Sequence, residues 1–320
     1  MGENPLDVDR FVEHMTQLGS GIGGSLGYSQ AAVAGIETAL RDVAGKLLDL
    51  PVYQLMGGKY RDSVRIYADC HAGTDLSDAP AADPKEIYTP AAYAEVAATA
   101  IGEGYDALKF DLDMKREATD TATRRLSTAA IEHKADIVAA VREAIGEEPL
   151  FAVDLHWNFG VETALRVARA LEQYDLAWIE DPVPPENPAT HRRVTEATTT
   201  PVLTGENLTR VEGFLPFLTD QAVDVIAPDL QKRGGLAEFR EIATLADAYD
   251  VPVAPHNVSS PVGTVARPTE CPRVRDGGER VRTRMARPRG RVVGRTPHRR
   301  TAHRGRADRR PRGTWTRDRT

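Results

Sequence analysis

The sequence predicts an α/β protein in which parallel strands alternate with helices, as in a β/α barrel. The first observation is a repeating unit, in which a short apolar run is followed by a polar loop and a helical pattern such as "GLAEFREIATLADAY". The second is the length of the later units, about 25 residues, which suits a β/α barrel. The third is that ionisable residues end most of the apolar runs.

A helical region precedes the repeating units. From Tyr28 to Leu50, apolar residues recur at helical spacing, and Ser29 is the predicted N-cap of this helix. The stretch "LPVYQLMGG" then predicts a short second helix that ends on glycine.

Seven apolar runs after this region predict parallel strands. They are residues 64–68, 107–110, 150–153, 176–179, 201–204, 224–227 and 251–254. Strands of a parallel sheet are buried on both faces, which accounts for runs that are apolar throughout. In a barrel the loops gather at the carboxyl ends of the strands, so polar chemistry is expected there.

Composition is that of a globular protein with no membrane segment. The chain has 320 residues, 41% of them hydrophobic, which is enough for a large core. No run approaches the roughly 18 apolar residues of a membrane span, and the N-terminus lacks the pattern of a signal peptide, so we expect a cytoplasmic protein. The two cysteines, Cys70 and Cys271, predict neither a disulfide framework nor a cysteine metal site.

The net charge of −6 conceals two different regions. Residues 267–320 hold 19 Arg and five Asp or Glu, a balance of +14, which leaves −20 for the first 266 residues. Clustered arginines can neutralise phosphates, but the acidic body repels them. The sequence therefore argues against a nucleic-acid partner.

Three acidic residues end three consecutive apolar runs at a spacing of 26 residues: Asp154, Glu180 and Glu206. Each could simply cap the helix that follows it, but the regular spacing favours convergence at the mouth of the barrel. Converging carboxylates repel one another unless a cation lies between them. Oxygen ligands without thiolates or several imidazoles favour Mg²⁺.

Seven ordered motifs resemble those of one family. They are "ALRDVAGKLLDLPVYQLMGGKYRDSVRIYA", "DALKFD", "VDLHWN", "WIEDPVPPEN", "TGENL", "PDLQKRGG" and "VPVAPHN". From near residue 1 to about Ala266, the chain resembles the enolase superfamily, specifically its mandelate racemase-like sugar-acid dehydratases. The resemblance implies a TIM-type (β/α) barrel with an α+β cap before it, and Mg²⁺ bound by Asp154, Glu180 and Glu206.

The resemblance also implies roles for four other residues. His156 matches the histidine that helps to expel the 3-hydroxyl as general acid in galactonate and gluconate dehydratases. Asp229 and His256 match a dyad in which the carboxylate orients a basic imidazole. Lys109 either stabilises an enolate or pairs with the acidic site. Racemases of the group typically carry a second lysine two residues further on, where this chain has Asp111.

The implied activity is the Mg²⁺-dependent dehydration of an aldonic acid to a 2-keto-3-deoxy acid, with galactonate, gluconate and xylonate as candidate substrates. The partner is then a small-molecule sugar acid, and an intact member is expected to be a homo-oligomer. Two alternatives stay open. A racemase or epimerase of a 2-hydroxy acid would use the same base and metal, and the chain could be an inactive fragment of such an enzyme.

Three regions are expected along the chain. Residues 1–62 are a remnant of the N-terminal capping domain, and residues 63–266 are a partial barrel. Residues 267–320 are an arginine-rich, disordered tail with the composition of a GC-rich gene read out of frame. No apolar run after residue 266 is long enough for an eighth strand, so strands seven and one would have unpaired edges.

The chain as written is expected to be poorly stable and much less active than an intact relative. Restoring the reading frame and the N-terminal cap should recover a cooperative thermal melt and dehydratase turnover together, because both depend on closing the barrel. Circular dichroism and a turnover assay on the two forms test this. A well-folded, fully active protein from the present sequence would contradict it.

Overall fold

A parallel sheet of six strands forms the centre of the structure. The computed structural model describes residues 4–20, 27–60, 64–71, 87–113, 124–232, 234–258 and 263. The strands are β1 (Ala68–Cys70), β2 (Ala107–Asp111), β3 (Leu150–Asp154), β4 (Ile179–Glu180), β5 (Val202–Thr204) and β6 (Val225–Ile226). Each strand pairs in parallel with the next one along the chain, which is the strand order of a β/α barrel.

Helices precede the sheet and connect its strands. α1 (Val8–Ser20), α2 (Tyr28–Leu48) and α3 (Val52–Leu55) come before β1. The strands β1 to β6 are followed in turn by α4 (Pro90–Gly102), α5 (Thr128–Ile145), α6 (Val161–Leu171), α7 (Pro188–Thr195), α8 (Arg210–Thr219) and α9 (Gly235–Ala248). Within the described ranges, no helix is both long enough and apolar enough to cross a membrane.

The starts of several helices follow from local sequence. Thr89, Ser127 and Asn187 each accept a backbone N–H with the side chain at the N-cap of α4, α5 and α7. For α2 the predicted cap is wrong. Ser29 lies inside the helix, and Gly27 takes the N-cap position with a positive φ of 67°.

Six of the seven predicted runs contain a strand, and β1 departs furthest from its prediction. The run spans residues 64–68, whereas the strand begins at Ala68 and continues to Cys70. Because Ala68 pairs with Leu108, residues 64–66 of the run would lie beside residues 104–106, in the turn ahead of β2. They therefore have no ladder partner there.

The seventh run, residues 251–254, and the residues just after it form single bridges and no strand of their own. Val253 bridges Ile226, and His256 bridges Asp229, both in parallel. The run thus follows β6 in the order of the sheet. The predicted lack of an eighth strand and the predicted disordered tail fall on residues beyond 263, outside the described part of the chain.

Strand side chains alternate between two separate apolar clusters. On β3, Phe151 and Val153 belong to the larger cluster, which also contains the buried faces of the helices. Leu150 and Ala152 belong to a second cluster, here called the inner cluster, together with Tyr67, Ala107, Trp178, Leu203, Val225, Ala227 and Ala254. Since side chains alternate with period two, the face of the sheet that carries the inner cluster also carries Lys109, Asp111, Asp154 and Glu180 at the strand ends.

Glu37 joins α2 to the N-terminus of α9. Its carboxylate accepts hydrogen bonds from the backbone N–H groups of Leu236 (3.0 Å) and Ala237 (3.3 Å), and Arg41 Nε lies 2.9 Å away. The positive end of a helix favours a carboxylate there. Gly235 has a φ of +89°, and a Cβ at this position would lie 2.6 Å from Glu37 Oε2. The close approach therefore requires glycine.

Replacing Glu37 by alanine should lower the free energy of unfolding by about 1–2 kcal/mol, because the N-terminus of α9 loses its cap. Denaturant unfolding followed by circular dichroism measures the loss. Asp42→Ala, on the exposed pair with Lys46 of the same helix, is the control and should have a much smaller effect. Equal losses in the two variants would contradict the capping role.

Candidate active site

The ends of β2, β3 and β4 place a lysine between two carboxylates. Lys109 Nζ lies 2.6 Å from Asp154 Oδ2 and 3.2 Å from Glu180 Oε2. All three side chains are almost fully buried. Burial by itself lowers the pKa of Lys109, but the charges of Asp154 and Glu180 raise that pKa well above its usual value. Lys109 thus contacts both carboxylates, and its two predicted roles stay predictions.

Asp154, Glu180 and Asp181 form a buried cluster, with one oxygen of each within 4.8 Å of the others. We call it the carboxylate cluster. Trp178 Nε1 donates to Glu180 Oε2 at 3.1 Å, and the Thr204 hydroxyl donates to Asp181 Oδ1. The other oxygens, Glu180 Oε1 and Asp181 Oδ2, have no hydrogen-bond partner among the described residues.

The members of this cluster resist being ionised together. Burial raises the pKa of Glu180 to about 7, an effect that Lys109 opposes and Asp154 strengthens. Burial and the charges of Asp154 and Glu180 raise the pKa of Asp181 well above its usual value. A cation among these oxygens would favour the ionised forms.

Glu206 follows β5 and contacts a histidine. Its Oε2 lies 2.5 Å from His256 Nε2, and its Oε1 lies 3.7 Å from Lys232 Nζ and accepts from Asn207 Nδ2 at 3.2 Å. Of the three predicted metal ligands, the structure thus groups the first two and directs the third toward His256. The third member of the carboxylate cluster is Asp181, in place of Glu206.

His256 is held between two carboxylates. Asp229 Oδ2 lies 2.7 Å from its Nδ1, while Asp229 Oδ1 accepts the backbone N–H groups of Gln231 and Lys232. Burial alone lowers the pKa of His256, but the hydrogen bonds with Asp229 and Glu206 raise it to about 9. Burial raises the pKa of Glu206, yet the contact with His256 prevails and holds it below its usual range. The structure brings the two predicted dyad residues together.

His156 lies on the side of the carboxylate cluster nearest β2. Its backbone N–H donates to Asp154 Oδ1 at 2.9 Å, and its Nε2 lies 3.7 Å from Asp154 Oδ2. Burial lowers the pKa of His156, but the charge of Asp154 and the hydrogen bond with Asp113 raise it to about 11. These contacts favour the protonated ring, which is the form that has a proton to give.

Two family models match the chain. Residues 92–268 match the enolase C-terminal domain-like family, and residues 1–57 match the N-terminal domain of the mandelate racemase / muconate lactonizing enzyme family. The chain belongs to the enolase superfamily. Within it, the N-terminal match places the chain with the mandelate racemase-like members.

Relatives of this enolase superfamily chain include sugar-acid dehydratases. D-xylonate dehydratase of Haloferax volcanii is 51% identical over 83% of this chain and 62% of the relative. D-galactonate dehydratase of Xanthomonas oryzae pv. oryzae is 31% identical over 83% of this chain and 64% of the relative. The chain thus spans less than two thirds of either one.

A solved structure shares the fold of this enolase superfamily chain. The crystal structure of a mandelate racemase/muconate lactonizing enzyme-like protein from Rubrobacter xylanophilus DSM 9941 matches with a TM-score of 0.81 at 40% identity. The match covers 90% of this chain and 73% of that one. The order of strands and helices described above is therefore that of the enolase superfamily.

The carboxylate cluster fits the divalent metal ion that enolase superfamily members use. It offers only oxygen ligands, it is buried, and two of its oxygens lack a hydrogen-bond partner among the described residues. Such donors suit a hard divalent cation. Lys109 supplies one positive charge to two other oxygens of the cluster, Asp154 Oδ2 and Glu180 Oε2.

One histidine near these strand ends was missed in the sequence. His71 follows β1, and its Nδ1 lies 2.7 Å from Asp111 Oδ2 while its Nε2 lies 3.4 Å from Asp69 Oδ2. Burial lowers its pKa, but the hydrogen bonds with Asp111 and Asp69 raise it to about 10. The signal was present, because Asp69 and His71 repeat the spacing of Asp154 and His156.

Removing the predicted metal ligands should weaken Mg²⁺ binding. Asp154→Asn, Glu180→Gln and Glu206→Gln should each lower the affinity by about tenfold or more, since each removes a charged oxygen ligand. Isothermal titration calorimetry measures this, with Glu132→Gln on the exposed side of α5 as the control.

A fourth variant, Asp181→Asn, distinguishes the predicted third ligand from the one in the carboxylate cluster. It should lower the affinity less than Glu206→Gln does, because the predicted set uses Glu206. The opposite ranking would assign the third ligand to Asp181, and an unchanged affinity in the triple variant of the predicted set would refute the site.

Proposed function

We propose that this protein dehydrates an aldonic acid to a 2-keto-3-deoxy acid with the help of Mg²⁺. The observation that carries the proposal is the placement of a histidine beside each end of the predicted ligand set. His156 lies against Asp154, and His256 lies against Glu206. A base and an acid on opposite sides of a bound substrate are what an elimination requires.

His256 is the proposed base that removes the proton at C2. Asp229 accepts at Nδ1, so Nε2 is the nitrogen that faces the site and takes the proton. With a pKa of about 9, the ring must first be neutral to act as a base. Glu206 would hold the metal ion in the proposed ligand set, and its carboxylate would then stabilise the His256 imidazolium less, which would favour the neutral ring that a base requires.

His156 is the proposed acid. It donates its proton to the hydroxyl at C3, which leaves as water when the C2–H electron pair forms the C2–C3 double bond. The resulting enol tautomerises to the 2-keto-3-deoxy acid. Asp113 lies outside the proposed ligand set, and its contact with Nδ1 favours the protonated ring until the leaving C3 hydroxyl takes the proton from Nε2.

Asp154, Glu180 and Glu206 are the proposed Mg²⁺ ligands. A bound Mg²⁺ supplies positive charge that stabilises the negative charge developing on the substrate carboxylate as the C2 proton leaves. Lys109 Nζ adds a second positive charge, beside Asp154 Oδ2 and Glu180 Oε2.

D-xylonate is the first substrate to test, because the relative with 51% identity is a D-xylonate dehydratase. A racemase or epimerase would use the same base, but Asp111 stands where a second lysine would serve and is paired with His71. The proposal also includes the expectations of a cytoplasmic location and of a homo-oligomer.

A screen of D-xylonate, D-gluconate and D-galactonate with and without Mg²⁺ tests the proposal. Formation of a 2-keto-3-deoxy acid from one of them, abolished by EDTA, is the expected result. Incubation in deuterated water separates the alternatives, since an epimerase incorporates deuterium or inverts C2 without losing water. Deuterium incorporation with no dehydration would favour the racemase or epimerase.

The two histidines should differ in what their loss abolishes. His256→Asn should stop exchange of the C2 proton, because the base is gone. His156→Asn should keep part of the exchange and lose dehydration, because only the acid is gone. Deuterium incorporation and product formation, measured on the same samples, check this. Equal loss of exchange in both variants would contradict the assignment.

A further inference from the structure

Asp113 contacts the nitrogen of His156 that points away from the carboxylate cluster. The Asp113 Oδ1 to His156 Nδ1 distance is 2.8 Å, and Asn158 Nδ2 donates to the other oxygen, Asp113 Oδ2. The Asp113 side chain is only 8% exposed. Both of its oxygens therefore have an identified donor, and both donors belong to the loop after β3.

This contact decides which nitrogen of His156 faces the site. An ionised carboxylate only accepts hydrogen bonds, so Nδ1 must carry a proton. Nε2 then lies on the opposite side of the ring, 3.7 Å from Asp154 Oδ2 and 3.9 Å from Asp111 Oδ1. After Nε2 has given up its proton, the neutral ring that remains is the form with a proton on Nδ1, which Asp113 stabilises.

The backbone of the loop after β3 also restrains the His156 ring. His156 and Trp157 both have positive φ values, 41° and 48°, a conformation that is uncommon for residues other than glycine. The His156 backbone N–H is tied to Asp154 Oδ1, and the Trp157 ring meets the imidazole edge to face at 5.8 Å. With the backbone set, Asp113 is the group that selects the rotation of the ring.

We propose that Asp113 is the positioning residue of His156, holding Nε2 toward the substrate as the nitrogen that donates the proton. The inference rests on the proposed function only in giving His156 the role of acid. It assigns to Asp113 a part in losing the C3 hydroxyl and none in removing the C2 proton.

The first test compares dehydration with C2 exchange. Asp113→Ala should lower the dehydration rate by about 10- to 100-fold and leave C2 exchange within about threefold, because the base does not depend on Asp113. Asp136→Asn, on the exposed side of α5, is the control and should change neither rate. A purely structural role would lower exchange and dehydration together, and that result, or unchanged dehydration, would overturn the proposal.

An exchange of the two side chains provides a rescue. Asp113→Asn alone gives the His156 ring a neutral acceptor in place of a carboxylate, and it keeps the second contact only if the Asn158 amide turns so that its oxygen accepts from the new amide nitrogen. The double variant D113N/N158D restores one acceptor for the ring and one for the new amide. The dehydration rate of the double variant should exceed that of D113N by at least about tenfold. A rate no higher than that of D113N would count against the positioning role.

A proton resonance tests the contact without any turnover. A ring N–H bonded to a carboxylate gives a downfield proton signal, assigned to His156 by its loss in His156→Asn. The signal should be present in the wild type and absent in Asp113→Ala. Its persistence in Asp113→Ala would overturn the proposal, even for a chain that turns over no aldonate. A wild type with this signal but neither exchange nor dehydration would refute the proposed function and leave the contact standing.

Discussion

The burial of several ionised groups at neighbouring strand ends is the constraint on which the rest of the structure depends. Asp154 and Glu180 are almost fully enclosed by protein, where an unpaired charge is several kcal/mol less stable than in water. Lys109 offsets part of this penalty, but one ammonium group faces the carboxylates of Asp154, Glu180 and Asp181. A divalent cation would supply the positive charge that these three carboxylates still lack.

How far this arrangement could be predicted depends on strand register. Asp154 pairs with Glu180, so the two strand ends are level, and equal spacing along the chain was enough to bring them together. The same spacing did not predict the contact of Glu206 with His256, and the role of Glu206 as a metal ligand stays a prediction. β5 ends at Thr204, and Gly205, with a φ of +144°, turns the chain where a Cβ would lie 2.8 Å from Ala227 N. Spacing does not encode that turn, which carries Glu206 to His256.

Some of the strands could likewise be predicted from the sequence and others could not. The runs of β2, β3 and β5 were predicted to within one residue, because burial on both faces makes the whole strand apolar. β1 and the seventh run depend on whether a neighbour offers backbone partners, which is a property of two segments together. The pairs His71–Asp111 and Asp113–His156 join separate strand ends, and their contacts are decided by loop geometry and side-chain rotamers.

The two halves of the site rest on different parts of the sheet. His156 and the carboxylate cluster lie at β2 to β4, where the ladder is continuous. His256 depends on two single bridges. Asp229 is fixed by backbone N–H groups of its own loop and does not need the seventh run, whereas His256 does. Val253 and Ala254 of that run are 1% exposed, so their packing places the imidazole. Loosening that packing would therefore displace the proposed base and leave the proposed metal ligands of β3 and β4 in place.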